Sequence, residues 1–149
     1  MKKKLRLNKS INFPVSLPNI TRKDISSVNN TLINGWISSS GPDVKKFENK
    51  FSNYIGRKYS VAVSSGTAAL EIAVKALGIK KNDEVLIPNF TIISNALAVI
   101  RQNAKPVLID CNLENWNIRI DEIEKKITNR TKAIIITHIY SFPNDMDKI

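Results

Sequence analysis

The sequence predicts an α/β protein built on a parallel sheet. From Tyr59 onward, short β-branched segments alternate with segments of helical pattern. Glycine or proline ends most of these segments, and each gap between two strands is long enough for one helix. Parallel neighbours need a crossover connection, so the alternation predicts right-handed βαβ units with helices on both faces of the sheet.

Two helices are predicted before the alternating region. Thr21 is placed to cap a helix that runs to about Asn34 and stops at Gly35. A second helix carries Pro42 in its first turn, where a missing N–H is tolerated, and ends at Gly56. Its apolar residues recur at helical spacing and lie on one face of the predicted helix: Val44, Phe47, Phe51, Tyr54 and Ile55.

Four strands and three helices are predicted within the alternating region. The strands are residues 59–63, 84–87, 106–110 and 132–137. Two helices span residues 68–77 and about 91–103. A third, short helix is predicted to be capped by Asp121, with Glu124 as its capping-box partner. Residues 143–149 look like the first turn of another helix, so we expect the sequence to be a piece of a longer protein.

The charge balance is strongly basic. The 149 residues carry 23 Lys and Arg against 13 Asp and Glu, a net charge of +10. Much of the excess lies at the start, and the other positive charges are scattered without an arginine-rich stripe. We therefore predict a solvated basic tail and extended arm over residues 1–20, a single domain portion over residues 21–149, and no specific nucleic-acid partner. The early charges are Lys2, Lys3, Lys4, Arg6 and Lys9.

The counts of cysteine and histidine exclude several classes of site. One cysteine, Cys111, cannot form an internal disulfide, and with one histidine, His138, it cannot build a Cys/His zinc site within one chain. No apolar run reaches the roughly 18 residues that would predict a membrane span, and the basic start lacks a signal-peptide core. The predicted setting is the cytoplasm, with no metal and no membrane partner.

The turn at residues 64–69, Ser-Ser-Gly-Thr-Ala-Ala, is the strongest candidate site. It is predicted to join the carboxyl end of a strand to the start of a helix, where free N–H groups and the helix dipole favour an anion. Gly66 would allow close approach, and Thr67 adds a hydroxyl donor. An ordinary βα turn with a Ser or Thr cap is the alternative. The motif is neither a Walker A loop nor a three-glycine dinucleotide fingerprint.

Two further candidates are predicted at the same edge of the sheet. Residues 88–94 again lead from a strand into a helix, although Phe90, Ile92 and Ile93 could equally be packing residues. His138 follows the last predicted strand, but no catalytic partner can be identified and its role stays open.

Ten segments occur in the order and spacing of one enzyme family. The sequence resembles the sugar aminotransferases of the DegT/StrS type over residues 13–149, which is under half of a complete family member. The matching segments are residues 14–18, 34–38, 41–44 with 47–48, 65–70, 78–79 with 83–85, 88–91, 104–107 with Asp110, 116–117, 131–134, and 138–140 with Pro143 and 145–147.

The resemblance implies a fold-type-I enzyme that uses pyridoxal 5'-phosphate (PLP). The chain would be the N-terminal part of its large domain, an incomplete three-layer α/β/α unit with a mostly parallel sheet. Such enzymes move an amino group, usually from glutamate, onto a nucleotide-linked keto-sugar, and they form homodimers. By the same resemblance, Gly66, Thr67 and Ala68 would hold the cofactor phosphate. Ile92 stands where many members place an aromatic ring over the pyridine.

The family's catalytic lysine, and the aspartate that pairs with the pyridine nitrogen, would follow residue 149. We therefore expect the chain to be inactive alone, with no catalytic residue of its own. Residues 141–142, Ser-Phe, also depart from the Gly-Gln that is common there. A dehydratase-type relative is one alternative, and a non-catalytic remnant or interaction protein is another.

Overall fold

A computed structural model describes residues 17–149. The basic residues 1–9 and most of the predicted arm lie outside this range. The chain divides into two compact units between Ala62 and Val63.

The first unit contains helices α1 (Arg22–Ile33) and α2 (Pro42–Tyr54). Thr21 caps α1 through a reciprocal capping box: its Oγ1 accepts the Asp24 amide at 3.3 Å, and Asp24 Oδ2 accepts the Thr21 amide at 2.7 Å. Gly35, with φ of 73°, ends the helix in the left-handed region. Both predicted helices are confirmed.

On the apolar face of α2, Phe47 and Tyr54 are 57% and 88% exposed. The prediction of a strand after this helix is wrong. Residues 59–63 form no strand. Their backbone follows α2 instead, because the Ser60 hydroxyl donates to the Glu48 carbonyl and the Ala62 amide donates to Glu48 Oε1 at 2.9 Å. The Ala62 amide, which a strand would have paired in a ladder, therefore finds its acceptor in a side chain.

The second unit alternates helices and strands as the sequence predicted. Its elements are α3 (Gly66–Ala76), β1 (Glu84–Pro88), α4 (Ser94–Ile100), β2 (Lys105–Ile109), α5 (Ile120–Lys126), β3 (Thr131–Ile134) and a short 3-10 turn (Ile139–Ser141).

The sheet has three parallel strands in the order β2-β1-β3, rather than the four predicted. The central strand β1 is buried along its whole length, as expected for a parallel strand covered on both faces. The pairing of β1 with β3 contains a bulge: Glu84 lies opposite Thr131, whereas Val85 lies opposite Ala133. Strand β3 ends at Ile134, three residues before the end of the predicted strand 132–137.

Two apolar clusters cover the two faces of the sheet. Val85 and Ile87 pack with Val74 of α3 and Val99 of α4 on one face. Leu86 packs on the other face with apolar residues of β2 and of the segment that leads into α5. Burying each such side chain stabilises the fold by about 1.5–3 kcal/mol. The three-layer α/β/α arrangement is therefore confirmed.

The ends of two helices differ from prediction. Helix α4 begins at Ser94 rather than Thr91, because the Thr91 side chain is engaged in a polar cluster described below. Asp121 does not cap α5; the N-cap position is Arg119, and the Asp121 carboxylate accepts from its guanidinium at 2.6 Å. Within residues 17–149, no helix combines the length and apolar character needed to cross a membrane.

Candidate functional site

The candidate site lies at the carboxyl edge of the sheet. In open α/β folds, the segments that follow parallel strands meet at this edge and carry the ligand-binding residues. Here those segments begin at Asn89 after β1, at Asp110 after β2 and at Ile135 after β3. The first turn of α3 joins them through a side-chain contact, although the strand predicted to precede it is absent.

The first turn of α3 presents unpaired backbone donors. Ser65 caps the helix, and its hydroxyl accepts the Ala68 amide at 3.2 Å. The amides of Gly66 and Thr67 precede the first intrahelical bond and have no acceptor within the helix. Apart from its chain neighbours and the backbone of its own helical turn, no heavy atom of the described chain lies within 4 Å of the position that a Cβ on Gly66 would take. The turn therefore has both the donors and the open space that an anion requires.

Thr67 is linked directly to the start of α4. Its Oγ1 lies 2.8 Å from Ser94 Oγ, and either hydroxyl can donate. The Ser94 residue is 7% exposed, so this bond is largely shielded from water. The contact connects the predicted phosphate turn to the segment that follows β1. The sequence predicted that these two segments lie at the same edge of the sheet.

A second polar contact ties the end of β1 to the end of β3. Asn95 Nδ2 donates to Thr91 Oγ1 and to Thr137 Oγ1, each at 2.8 Å, and the two hydroxyls lie 2.9 Å apart. We call these three residues the Asn95 cluster. Two amide protons and two hydroxyl protons serve three hydrogen bonds, so one hydroxyl proton is left to donate outside the cluster.

Ile92 lines a small cavity on the same edge. The cavity has a volume of about 300 Å³, and Phe90, Thr91, Ile139 and Tyr140 complete its lining. Ile92 is 62% exposed and Tyr140 is 77% exposed, so both side chains are available to a ligand. Thr91 supplies a hydroxyl in an otherwise aliphatic and aromatic setting, which suits a flat, mostly apolar ring.

His138 also reaches this edge, with a structural role for one nitrogen. Its Nδ1 accepts the backbone amide of Asn144 at 3.0 Å, so the ring is assigned as neutral with its proton on Nε2. The Asn144 side chain donates to the Thr137 carbonyl at 2.8 Å. These bonds hold a turn in which Tyr140 and Ser141 both have left-handed backbones, with φ of 47° and 67°.

Asp110 closes the edge between β1 and β2. Its Oδ1 accepts the Cys111 amide at 2.9 Å and the Asn89 side-chain amide at 2.7 Å. These donors hold the pKa of the Asp110 carboxyl below its ordinary value, the Cys111 bond contributing most. Beside this pair, the rings of Phe90 and Trp116 lie with their centroids 5.1 Å apart. Asp110 is thus an ionised acceptor that fixes the loop carrying Phe90.

Sequence reasoning missed the residues that connect the site. Gly66, Thr67, Ala68 and Ile92 were predicted as site residues. Ser94 and Thr137 lay within candidate segments, but their side-chain contacts and the part played by Asn95 were not predicted. A signal was present, because Ser94 and Asn95 interrupt an apolar stretch at residues 92–100. Polar residues inside a buried helix face are expected to be hydrogen-bonded, and these two are.

The fold and this edge define an α/β domain of the kind that binds a ligand where parallel strands end. The sequence profile of the DegT/DnrJ/EryC1/StrS aminotransferase family matches residues 18–149. The chain belongs to this family.

Relatives of known sequence and structure are consistent with this family. The chain is 43% identical over 137 residues to the GDP-perosamine synthase of Escherichia coli O157:H7, covering 92% of this chain and 38% of the relative. Spr1654 of Streptococcus pneumoniae, assigned as a sugar aminotransferase and solved in its PLP form, superposes with a TM-score of 0.84 at 34% identity, over 92% of this chain and 35% of that one.

A structure with a different named activity matches equally well in backbone. The GDP-4-keto-6-deoxy-D-mannose-3-dehydratase of E. coli with bound hydrated PLP gives a TM-score of 0.84 at 25% identity, over 92% of this chain and 36% of that one. The chain thus spans little more than a third of the length of each of these three relatives.

Proposed function

We propose that this chain forms the cofactor-phosphate part of a PLP-dependent aminotransferase that acts on a nucleotide-linked keto-sugar. The observation that carries the proposal is the first turn of α3, with unpaired amides, open space at Gly66 and the Thr67 hydroxyl at the carboxyl edge of the sheet. Membership of an aminotransferase family supports it, as do relatives named for a GDP-linked amino sugar and for a PLP form.

The residues of this turn fit the phosphate of PLP. A phosphate group brings only acceptor oxygens and negative charge at neutral pH. The amides of Gly66 and Thr67 and the Thr67 hydroxyl are donors, and the positive end of the α3 dipole adds to them. Ala68 completes the turn, and its amide donates to the hydroxyl of the Ser65 cap. In this proposal the turn binds and orients the cofactor through its phosphate.

The cavity beside Ile92 fits the ring of the same cofactor. Its lining is aliphatic and aromatic apart from Thr91, and Ile92 would pack against the ring without aromatic stacking. Phe90 and Tyr140 offer aromatic surface from other sides of the cavity. These residues would keep water away from one side of the ring and limit how it can tilt.

When bound in a complete active site, PLP would supply an electron sink for the negative charge that develops on the carbon bearing the substrate's amino nitrogen. By the family resemblance, a lysine and an aspartate that would follow residue 149 complete that site, and the proposal gives the catalytic role to none of the lysines in this chain. We therefore propose that this chain alone has no transaminase activity. Borohydride reduction with PLP followed by peptide mapping tests this: specific labelling of one lysine together with amino transfer from glutamate would contradict it.

The substrate proposal names glutamate as the amino donor and a nucleotide-linked 4-keto-6-deoxy sugar as the acceptor. A homodimer and a cytoplasmic location complete the proposal. Light scattering of the complete protein, with and without PLP, tests the dimer. Product analysis with GDP- and dTDP-linked keto-sugars tests the substrate class, since amination replaces the ketone oxygen with nitrogen and leaves the neighbouring hydroxyls in place.

A dehydratase is the second candidate. The equal TM-scores of 0.84 mean that the backbone does not separate the two activities, whereas the identity of 34% against 25% favours the aminotransferase. In the complete protein, loss of a ring hydroxyl from the product sugar, with no nitrogen gained, is the outcome that would establish the dehydratase instead.

A further inference from the structure

The hydroxyl of Ser94 lies behind the proposed phosphate turn. Ser94 opens α4, is 7% exposed and reaches Thr67 Oγ1 at 2.8 Å across 27 residues of sequence. Within the described residues 17–149, Thr67 is the one hydrogen-bond partner of the Ser94 hydroxyl. Its neighbour Asn95 is held by two bonds to threonine hydroxyls, so the start of α4 has little freedom to move.

The direction of the bond between Ser94 and Thr67 decides what Thr67 can do. Each hydroxyl has one proton, and the bond between them uses one of the two. If Thr67 donates to Ser94, it has no proton left for a ligand. If Ser94 donates, the Thr67 proton is available. An ionised phosphate offers only acceptors, so Thr67 can donate to it only in the second arrangement.

We propose that Ser94 is a positioning residue of the phosphate site, donating to Thr67 Oγ1 so that the Thr67 proton is directed to the ligand phosphate. The inference rests on the proposed function, since it assigns a role within the same site. Hydrogen bonds in such a chain polarise and strengthen one another, and the burial of Ser94 keeps water from competing. Ser94 does not contact the phosphate itself in this proposal.

The test is a double-mutant cycle on the binding of a cofactor analogue. The probe is 4′-deoxypyridoxine 5′-phosphate, which lacks the aldehyde and so cannot attach to surface lysines. Its dissociation constant is measured for the wild-type chain, Ser94→Ala, Thr67→Ala and the double variant. We expect Ser94→Ala to weaken binding by about two- to tenfold, and to have no effect once Thr67 is already alanine.

Two comparisons separate positioning from a general loss of structure. Binding of 4′-deoxypyridoxine, which has no phosphate, should be the same in the wild-type chain and in Ser94→Ala. Ser94→Thr keeps the hydroxyl and should retain most of the affinity. Thr128→Ala is the matched control, because it removes a hydroxyl bonded at the opposite edge of the sheet and should leave phosphate binding unchanged.

Each outcome has a distinct meaning. Wild-type affinity in Ser94→Ala overturns the inference and leaves the proposed function standing. An equal loss with the phosphate-free analogue also overturns it, because the effect would then not pass through the phosphate. If the folded wild-type chain binds neither analogue, both the proposed function and this inference fail. The inference is supported if Ser94→Ala weakens binding of the phosphate analogue only, and does so only while Thr67 is present.

Discussion

The hydroxyls of Thr91 and Thr137 lie 2.9 Å apart, joining residues 46 positions distant in sequence at the carboxyl edge of the sheet. Asn95 donates to both of them and is 3% exposed. The segment after β1 and the segment after β3 are therefore held together by one buried amide. The cavity beside Ile92 lies between the same two segments.

Replacing Asn95 should destabilise the second unit. In Asn95→Leu, a side chain of similar size, two hydroxyls lose their shared donor in a shielded position. We expect a loss of about 1–3 kcal/mol in the free energy of unfolding, measured by urea denaturation. Asn129→Leu on the exposed loop before β3 is the control and should change it by less than about 0.5 kcal/mol. Equal effects of the two changes would show that the Asn95 cluster contributes no stability.

Removing the Thr67 hydroxyl should weaken phosphate binding. Hydrogen bonds to charged groups contribute about 1.5–3 kcal/mol, so we expect Thr67→Ala to raise the dissociation constant of 4′-deoxypyridoxine 5′-phosphate by about ten- to a hundredfold. Thr67→Ser, which keeps the hydroxyl, should stay within a few-fold of the wild-type chain. An unchanged constant in Thr67→Ala would leave this residue with a purely structural part in the first turn of α3.

The stability of the second unit should fall in acid because of Glu84. This carboxylate is 2% exposed, and hydrogen bonding from Thr128 at 2.6 Å, together with the charges of Arg130 and Lys105, holds its pKa below the ordinary value of 4.5. A depressed pKa in the folded state means that the stabilisation is present above pH 4.5 and is lost as the pH falls through the folded value.

Glu84→Gln tests this dependence. At pH 7 the variant should unfold at a lower urea concentration than the wild-type chain, and the difference should shrink as the pH falls below 4.5. Glu114→Gln, at an exposed loop position, is the control, and its effect on stability should not depend on pH in this way. A difference between Glu84→Gln and the wild-type chain that stays constant over this range would mean that ionisation of Glu84 does not stabilise the fold.

Ser141→Gly should stabilise the turn after His138. Ser141 has φ of 67°, a left-handed conformation that costs a non-glycine residue about 1–2 kcal/mol. Glycine removes this strain but adds about 0.5–1 kcal/mol of unfolded-chain entropy. We expect a net gain of up to about 1 kcal/mol, seen as a higher melting temperature. The exposed Ser64→Gly, whose backbone is not left-handed, should instead be neutral or destabilising.

The parallel α/β architecture, the capping of α1 and the candidate phosphate turn could all be predicted from the sequence. These features depend on local chemistry. Thr21 and Asp24 cap α1 within three residues of each other, and Gly78 adopts a positive φ just past α3. The alternation of β-branched and helical segments likewise follows from backbone sterics and the need to bury both faces of β1.

Tertiary structure alone decided which segments pair and which side chains meet. Residues 59–63 have a strand-like composition, yet they form no ladder. The Ser60 hydroxyl and the Ala62 amide both donate to Glu48 instead. The contacts of Ser94 with Thr67, and of Asn95 with Thr137, join residues far apart in the chain. Periodicity reports only which face of an element is apolar, so contacts between elements appear only once packing brings their ends to one edge of the sheet.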